Sequence, residues 1–323
     1  MQKNKKYLLF IAFLVPAILL YVCLRKFDLQ LFLNELKHLK LHYFLLATLT
    51  PLGILLGLQA QWKIFLPERT QLSFLRRFEI ASLFAMLVNT VPFWGGHAFV
   101  IYYLGQKEKV GKTPVLSMIT LQQISDGFAK LSLFALVSFF LPFPDWMKNG
   151  MRTGMIFIVI AYFTLLLVAF RFRDRPPEET NPKGFRRLFS FIALWAHHLH
   201  ALRSLKKMLA GVACSLWMKF FEGLGIYLIQ KSFSLHLPIE SVVLVLASLS
   251  VATMLPISPG RLGLFEATAF IIYQYLGIDS TQALALGLFI HMAHTLPFVI
   301  VGYVTSLKLG FRRQEMMLGT VPK

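Results

Sequence analysis

The sequence predicts an all-α membrane protein, a polytopic bundle of transmembrane helices, from three observations. The 323 residues are 56% hydrophobic and only 15% charged, and the mean hydropathy is +0.63. Apolar runs near the length of about 20 residues that crosses a bilayer recur along the chain. Basic linkers separate these runs. Soluble domains do not combine these features, so we expect residues 1–323 to form a single integral membrane domain.

The strong positive charge indicates a membrane surface as the partner. The formal net charge is +18, which alone would also suit nucleic acid. The basic residues flank apolar runs, however, and anionic lipids attract cations at those positions. We therefore expect membrane lipids as partners and no nucleic acid. The two cysteines, Cys23 and Cys214, lie in apolar runs and form neither a disulfide framework nor a metal motif, and we expect no cofactor.

The apolar runs predict the order of the spans. The run at 7–24 follows three lysines and lacks a cleavage site, so we expect an uncleaved first span. Residues 27–41 have helical periodicity among charged residues, which predicts a helix in the interface. Further spans are predicted at 42–60, 114–141, 151–170, 205–229 and 283–307, with a polar, basic connection at 61–77. The segment 171–204 reads as a basic linker followed by an amphipathic surface helix.

Two interrupted segments predict re-entrant helical hairpins. Residues 239–276 contain two short apolar runs joined at Pro256-Ile-Ser-Pro-Gly-Arg-Leu-Gly263, where a continuous helix is disfavoured. Residues 78–104 contain a similar break with Pro92, Gly95 and Gly96. Paired interruptions in two halves of a chain are typical of transporter sites. Ordinary loops between complete spans are the alternative.

The distribution of Lys and Arg predicts the orientation. The N-terminus and the segments 61–77, 105–113, 171–207 and 308–323 carry 23 of these residues, and the remaining linkers carry 7. We therefore expect both termini in the cytoplasm. The hairpins then return to their own sides and open in opposite directions, as an inverted repeat.

Charged residues inside predicted spans mark candidate functional positions. Asp126 and Lys130 are four residues apart, and Lys219 and Glu222 are three apart, so each pair shares a helix face. Charges in hydrocarbon normally face a cavity or a partner. Either these pairs line a polar cavity, or they are structural ion pairs that fix helix register.

The hairpin tips supply the candidate substrate-binding residues. Arg261 precedes a helix whose free N–H groups suit an anion, and Glu266 falls in its first turn, where the helix dipole favours a carboxylate. The predicted substrate-binding residues are Arg261, Glu266, Ser258, Gly260, Gly263, Asn89, Gly96 and His97. His291 and His294 lie on one face of the last span. They could bond neighbouring helices, or join Glu266 in a metal site, although we expect no metal.

The second hairpin resembles a known family motif. Pro256, Ser258, Pro259, Gly260, Gly263, Glu266 and Ala267 match the pattern P-x-S-P-G-G-x-G-x-R-E-A of the lysylphosphatidylglycerol synthase transmembrane region, a flippase-like integral membrane family. Arg261 and Phe265 depart from it. The first tip is similar to the family's other motif, with His97 in place of an acid and Val100 in place of an arginine, and His291 stands where many members have arginine. The resemblance covers essentially the whole chain and implies paired re-entrant hairpins and movement of lipids between leaflets. It does not imply lysyl-lipid synthesis, because the aminoacyl-transferase domain is missing.

We therefore expect a translocase for a lipid or a lipid-linked head group, rather than an enzyme. The expected location is the cytoplasmic membrane of a prokaryote, and phosphate-bearing head groups are the expected partners. Two alternatives remain open. One is an intramembrane enzyme that acts on lipid-linked substrates. The other is a non-catalytic membrane partner of a lipid- or glycan-modifying enzyme.

Overall fold

The computed structural model describes residues 14, 18, 21, 23–24, 27–68, 70–91, 95–138, 145–172, 185–252 and 259–310. Within these residues every regular element is a helix, which confirms the all-α class. The predicted first span at 7–24 lies almost entirely outside the described residues. The same is true of Ser258 and of most of the linker that precedes the amphipathic helix.

Eleven α-helices follow one another in the described residues. They are α1 (Leu29–Lys37), α2 (Leu41–Phe65), α3 (Phe74–Thr90), α4 (Gly95–Tyr102), α5 (Lys112–Ser138), α6 (Asp145–Arg171), α7 (Phe185–His197), α8 (Leu205–Ser232), α9 (Ile239–Ala252), α10 (Leu264–Tyr275) and α11 (Ser280–Lys308). A π-helical turn at Tyr103–Lys107 extends α4. Short 3-10 segments at His198–Arg203 and Pro259–Arg261 precede α8 and α10.

Four described helices are long and apolar enough to cross a membrane: α2, α8, α11 and the part of α6 from Arg152 onward. All four were predicted as spans. The predicted span at 114–141 corresponds to α5, which has 27 residues and is about 40 Å long at a rise of about 1.5 Å per residue. It is not one of the four, since Gln122, Gln123, Asp126 and Lys130 lower its hydropathy.

Helices extend into both ends of the polar, basic connection predicted at 61–77. Helix α2 continues to Phe65, and α3 already begins at Phe74. At the first of these ends, the amide NH2 group of Gln61 has two buried partners. The Gln61 side chain is buried and donates to the Gly211 carbonyl at 2.9 Å and to Ser215 Oγ at 2.8 Å. A polar residue with such partners continues a membrane helix at little cost.

The described chain forms two compact units. Unit 1 comprises residues 1–55, 81–96 and 219–323, and unit 2 comprises residues 56–80 and 97–218. Helices α2, α3, α4 and α8 each contribute one part to each unit.

In unit 1, α10 packs against both α9 and α11, and small residues allow close helix crossings. A β-carbon at Gly302 of α11 would lie 2.4 Å from Met86 Cβ, and one at Gly225 of α8 would lie 2.8 Å from Thr50 Oγ1. Such crossings are typical of helix packing in membranes, where glycine lets backbones approach. The amphipathic helix α1 packs against the start of α11, where Gln282 Nε2 donates to Glu35 Oε2 at 3.0 Å.

In unit 2, α5 packs against α6, α7 and the 3-10 segment at His198–Arg203. Ser117 Oγ of α5 donates to the Trp195 carbonyl of α7 at 2.8 Å. The predicted surface helix is thus confirmed as a helix, with a kink at Leu199. Its location at the membrane surface stays a prediction.

The two ends of the first hairpin are tied together in unit 2. Arg76, at the start of α3, donates to Glu108 Oε1 at 2.8 Å and to Tyr103 Oη at 2.7 Å, just beyond α4. Burial lowers the pKa of the Arg76 guanidinium, but the hydrogen bond to Glu108 and the neighbouring groups outweigh burial and raise it. The start of α3 and the segment after α4 therefore lie side by side, which agrees with the predicted hairpin, but its place in the membrane stays a prediction.

The two ends of the second hairpin are tied together in unit 1. Gln230, at the end of α8, donates from Nε2 to Tyr273 Oη at 3.1 Å and accepts at Oε1 from Ser241 Oγ at 3.4 Å. Ser241 lies in the first turn of α9, and Tyr273 lies in the last turn of α10. Helices α9 and α10 have 14 and 12 residues. They are therefore about 21 and 18 Å long, shorter than a bilayer core of about 30 Å. The proximity of the ends agrees with a re-entrant hairpin, although its place in the membrane stays a prediction.

The tips of the two hairpins approach each other inside unit 1. Gly260 lies in the left-handed region with φ +59°, and a β-carbon there would lie 2.5 Å from the Asn89 backbone oxygen at the end of α3. Only glycine allows this approach at this backbone conformation.

We expect Gly260→Ala to destabilise the protein more than Gly277→Ala. Both glycines have positive φ, but a β-carbon at Gly277 meets nothing within 4 Å. Gly277→Ala should therefore add only backbone strain of about 1–2 kcal/mol. Gly260→Ala should add the overlap with Asn89, about 1–3 kcal/mol more. Thermal unfolding of the two variants in detergent measures the difference, and equal melting temperatures would show that the tips do not touch.

Candidate functional site

An ion pair lies near the middle of the long helix α8 in unit 1. Lys219 Nζ and Glu222 Oε2 are 2.5 Å apart, with side chains 11% and 18% exposed. Ser250 of α9 adds a hydroxyl oxygen 3.4 Å from Lys219 Nζ. The sequence predicted the pairing of these two side chains from their spacing. The ammonium and the carboxylate offset each other at a depth where an unpaired charge would cost several kcal/mol.

Two further basic groups belong to the same charged cluster. Arg261 and His294 both interact electrostatically with Glu222, and His294 also interacts with Lys219. We call these residues, Lys219, Glu222, Arg261 and His294, the unit 1 cluster. The cluster joins α8 and α11 to the segment just before α10.

The unit 1 cluster borders a small pocket. The pocket is lined by Ala47, Thr50, Glu222, Gly225, Ile226, Leu249, Phe265, Ile290, Ala293 and His294, and it has space for roughly one water molecule. Apolar side chains form most of its wall, and Glu222 and His294 supply its charged and titratable groups. In the described conformation, Glu222 and His294 are thus polar groups in a mainly apolar pocket. The pocket is too small for a whole head group.

Glu266 has both carboxylate oxygens engaged. Oε2 accepts from the Gly263 backbone N–H at 2.7 Å, which caps the N-terminus of its own helix. Oε1 lies 2.5 Å from His291 Nδ1 on α11. The Phe265 ring stacks on the His291 ring with centroids 4.7 Å apart. Glu266 therefore fastens the start of α10 to the middle of α11.

This arrangement changes how an anion could bind at the second tip. The sequence predicted that Arg261 and the free N–H groups of the following helix would hold it. In the structure a carboxylate already takes the Gly263 N–H, so an anion would meet like charge there. The binding of an anion by Arg261 stays a prediction.

Arg261 has an unusual backbone conformation. Its φ is +61°, in the left-handed region that residues other than glycine, asparagine and aspartate rarely occupy. The family motif has glycine at this position, which suits that conformation. A non-glycine residue held in strain is a common feature of functional sites. The sequence shows that Arg261 departs from the motif, but it does not show the left-handed backbone conformation at that position.

The remaining predicted tip residues have structural contacts. Asn89 Nδ2 donates to the Ala85 carbonyl at 2.8 Å within its own helix, and a β-carbon at Gly96 would lie 2.5 Å from Val88 Cγ2. His97 lies in unit 2, where its Nε2 is 3.5 Å from Gln123 Nε2. The substrate-binding roles of these residues stay predictions.

Unit 2 holds the second predicted ion pair. Lys130 Nζ and Asp126 Oδ2 of α5 are 2.7 Å apart, with side chains 13% and 25% exposed. Sequence reasoning missed other buried polar residues, notably Gln61, Ser215, Gln230 and Ser250. Among the described residues, no three His, Cys, Asp or Glu side chains are grouped as metal ligands.

Comparison with known proteins identifies the family. The model of the lysylphosphatidylglycerol synthase transmembrane region matches residues 8–302. Comparisons with curated proteins and with solved structures gave no match. With its membrane-spanning helices, the chain is a multi-pass membrane protein, and it belongs to the lysylphosphatidylglycerol synthase transmembrane-region family.

Proposed function

We propose that the protein moves lipids with phosphate-bearing head groups between the leaflets of a membrane. The observation that carries this proposal is the unit 1 cluster. Its ion pair lies near the middle of one long apolar helix, α8, and His294 of a second, α11, lines the same small pocket as Glu222. Charged side chains at that depth are costly and usually mark a pathway for a polar substrate.

The cluster offers an exchangeable set of charges. In the described state Lys219 is paired with Glu222 at 2.5 Å, and Arg261 interacts with the same carboxylate. A phosphate that enters would share the two cations with Glu222, so that two positive charges face two negative charges. When the phosphate leaves, Glu222 keeps its pairing with Lys219, so the carboxylate is never an isolated buried charge.

The hairpins supply the route in this proposal. Each has its two ends held together, by Arg76 in unit 2 and by Gln230 in unit 1. The contact between Gly260 and Asn89 places the tips side by side. Interrupted helices of this kind let a polar group meet backbone and side-chain dipoles at membrane depth, where lipid offers none. The acyl or isoprenoid tails would stay in the bilayer.

The direct test is lipid movement in liposomes. The protein is reconstituted into phosphatidylcholine vesicles with a trace of phosphatidylglycerol that carries a fluorophore on its acyl chain. Dithionite then bleaches only fluorophore in the outer leaflet. We expect bleaching beyond the outer-leaflet share only in vesicles with protein. Equal bleaching with and without protein, under every ion gradient applied, would contradict the proposal.

Arg261→Gly separates function from folding. Glycine adopts the left-handed conformation without strain, so we expect the melting temperature to be maintained or raised. The loss of a charged ligand for the phosphate should lower the transport rate by about tenfold or more. Arg261→Lys keeps the charge and should retain most of the rate. A glycine variant as active as the parent would exclude Arg261 from the site.

Removal of the α8 ion pair should abolish transport without loss of the fold. Single variants leave one buried charge unpaired and should destabilise the protein by about 3–5 kcal/mol. The double variant Lys219→Gln/Glu222→Gln removes both charges of the pair, so we expect melting closer to the parent than that of either single variant, but a rate lowered by about tenfold or more. Lys231→Gln, at the end of the same helix, is the matched control and should transport normally. A fully active double variant would make the pair merely structural.

A further inference from the structure

The two histidines of α11 differ in how their rings are held. His291 Nδ1 lies 2.5 Å from Glu266 Oε1, and both side chains are buried. The half-buried ring of His294 packs edge-on against the Phe298 ring, with the centroids 5.1 Å apart. In the part of the chain that the structure describes, no residue forms a hydrogen bond with the His294 ring. Its two nitrogens, a donor and an acceptor in the neutral imidazole, are therefore not used by the helix packing.

His294 lines the small pocket of unit 1 together with Glu222. Glu222 Oε2 is paired with Lys219 Nζ at 2.5 Å, and no described residue forms a hydrogen bond with its other oxygen, Oε1. The pocket has space for roughly one water molecule. Such a water can accept a hydrogen bond from an imidazole and donate one to a carboxylate. A proton acceptor and a carboxylate thus adjoin the same water-sized space.

The charges around His294 come from three elements. Lys219 and Glu222 belong to α8, Arg261 precedes α10, and His291 lies on α11 itself, and all four interact electrostatically with the His294 ring. Without lipid, two permanent cations face one carboxylate. The apolar wall of the pocket and these two cations oppose a further positive charge on the ring. The ring is therefore best accommodated as a neutral imidazole in the lipid-free state.

The other polar groups at this place are less suited to change their charge. Glu266 is held between His291 and its own helix N-terminus, and Cys23 adjoins the same carboxylate. Thr50 lines the pocket, but a hydroxyl group does not titrate in this range. His294 is therefore the group whose protonation responds most directly to a new charge in the unit 1 cluster.

A bound phosphate changes the balance of charges around His294. A phosphodiester that shares Lys219 and Arg261 with Glu222 brings two negative charges against two positive ones. A proton on the ring then gives three positive charges against two, which is the same net charge as in the lipid-free cluster. Phosphate and proton therefore favour each other's binding, and by thermodynamic linkage each strengthens the other by the same factor.

We propose that His294 takes up a proton when a phosphate-bearing head group enters the unit 1 cluster, and that the protein moves lipid and proton together. The proton comes from water on the side where the lipid enters, is held on an imidazole nitrogen, and leaves with the head group on the other side. This inference rests on the proposed function for the transport step, but proton uptake on binding does not require transport. A monoanionic lipid and a proton together carry no net charge, so a pH gradient moves the lipid toward the alkaline side.

A metal cation suits this pocket less well than a proton. Calcium takes about six or more oxygen ligands, whereas the pocket offers the side-chain oxygens of Glu222 and Thr50. The cations Lys219 and Arg261 would also repel a metal ion that remains as a separate charge in the pocket. A proton needs only one acceptor atom, and His294 supplies it.

The test counts the protons that are taken up when lipid binds. Short-chain dihexanoyl phosphatidylglycerol, whose phosphodiester stays ionised throughout, is titrated by calorimetry into the purified full chain in detergent. The titration is run between about pH 5 and pH 7 in two buffers with different ionisation enthalpies, and the difference in heat gives the number of protons bound. We expect uptake of at most about one proton per lipid. Binding should be about tenfold tighter at the acid end than above pH 7, because the bound state holds the extra proton.

Two histidine variants locate the proton. His294→Gln keeps a hydrogen-bonding side chain but cannot become charged, so it should bind lipid without proton uptake and with an affinity that does not depend on pH. His236→Gln, at an exposed histidine between α8 and α9, is the matched control and should take up protons as the parent does. Uptake that persists in His294→Gln would overturn the proposal. So would a parent chain that binds lipid without uptake, a result that needs no variant to fold.

The vesicle assay separates this inference from the proposed function. With an alkaline interior, labelled phosphatidylglycerol should accumulate in the inner leaflet, and the share bleached by dithionite should fall. With an acidic interior, the bleached share should rise, and His294→Gln should remove both shifts. Lipid movement that is indifferent to the pH gradient would overturn the joint movement and leave the proposed function intact. Proton uptake on binding without any lipid movement would instead remove the proposed function alone.

Discussion

The structure depends on one constraint: a charge halfway along an apolar helix must have a partner close at hand. Lys219 and Glu222 meet it on one helix, and Asp126 and Lys130 meet it on another. An isolated charge would cost several kcal/mol at such a position, a large part of the net stability of a domain, about 5–15 kcal/mol. The paired residues are therefore tolerated inside these apolar helices.

The same constraint governs the backbone at the hairpins. Short helices leave N–H and C=O groups unsatisfied at their ends, and lipid cannot satisfy them. At the second hairpin, the Glu266 carboxylate takes the Gly263 N–H and reaches His291 with its other oxygen. One side chain thereby caps α10 and fixes it against α11. Glu266, which the sequence predicted to bind substrate, thus also helps to hold the second tip in place.

Most of the fold could be predicted from the sequence because membrane helices are recognised by their length and hydropathy. The predicted spans at 42–60, 205–229 and 283–307 lie within α2, α8 and α11. The helix ends differ from the predicted span ends where a polar side chain forms hydrogen bonds with residues that are distant in the sequence. Gln61 begins the segment 61–77, which the sequence marks as polar and basic, but its partners Gly211 and Ser215 come from α8, and no local pattern indicates that contact.

The site was predictable to the extent that its contacts are local. Spacings of three and four residues foretold both ion pairs, since such neighbours share a helix face. The contact between Glu266 and His291 joins residues 25 apart in sequence, and it depends on how α10 packs against α11. The left-handed backbone conformation at Arg261 was likewise not predictable from the sequence. The motif showed only that glycine was missing there, and the conformation explains why glycine is favoured.

Helices α2–α5 and helices α8–α11 repeat one order: a long helix, two short helices and a second long helix. In the set α8–α11, the third residue of the second short helix meets the twelfth residue of the following long helix as an acid with a histidine, and both side chains are buried. In the set α2–α5, the same two positions hold a histidine and an amide 3.5 Å apart. The backbone arrangement therefore fixes where polar groups meet, while the residue types at those positions differ. A repeat of helices does not require two equal polar contacts.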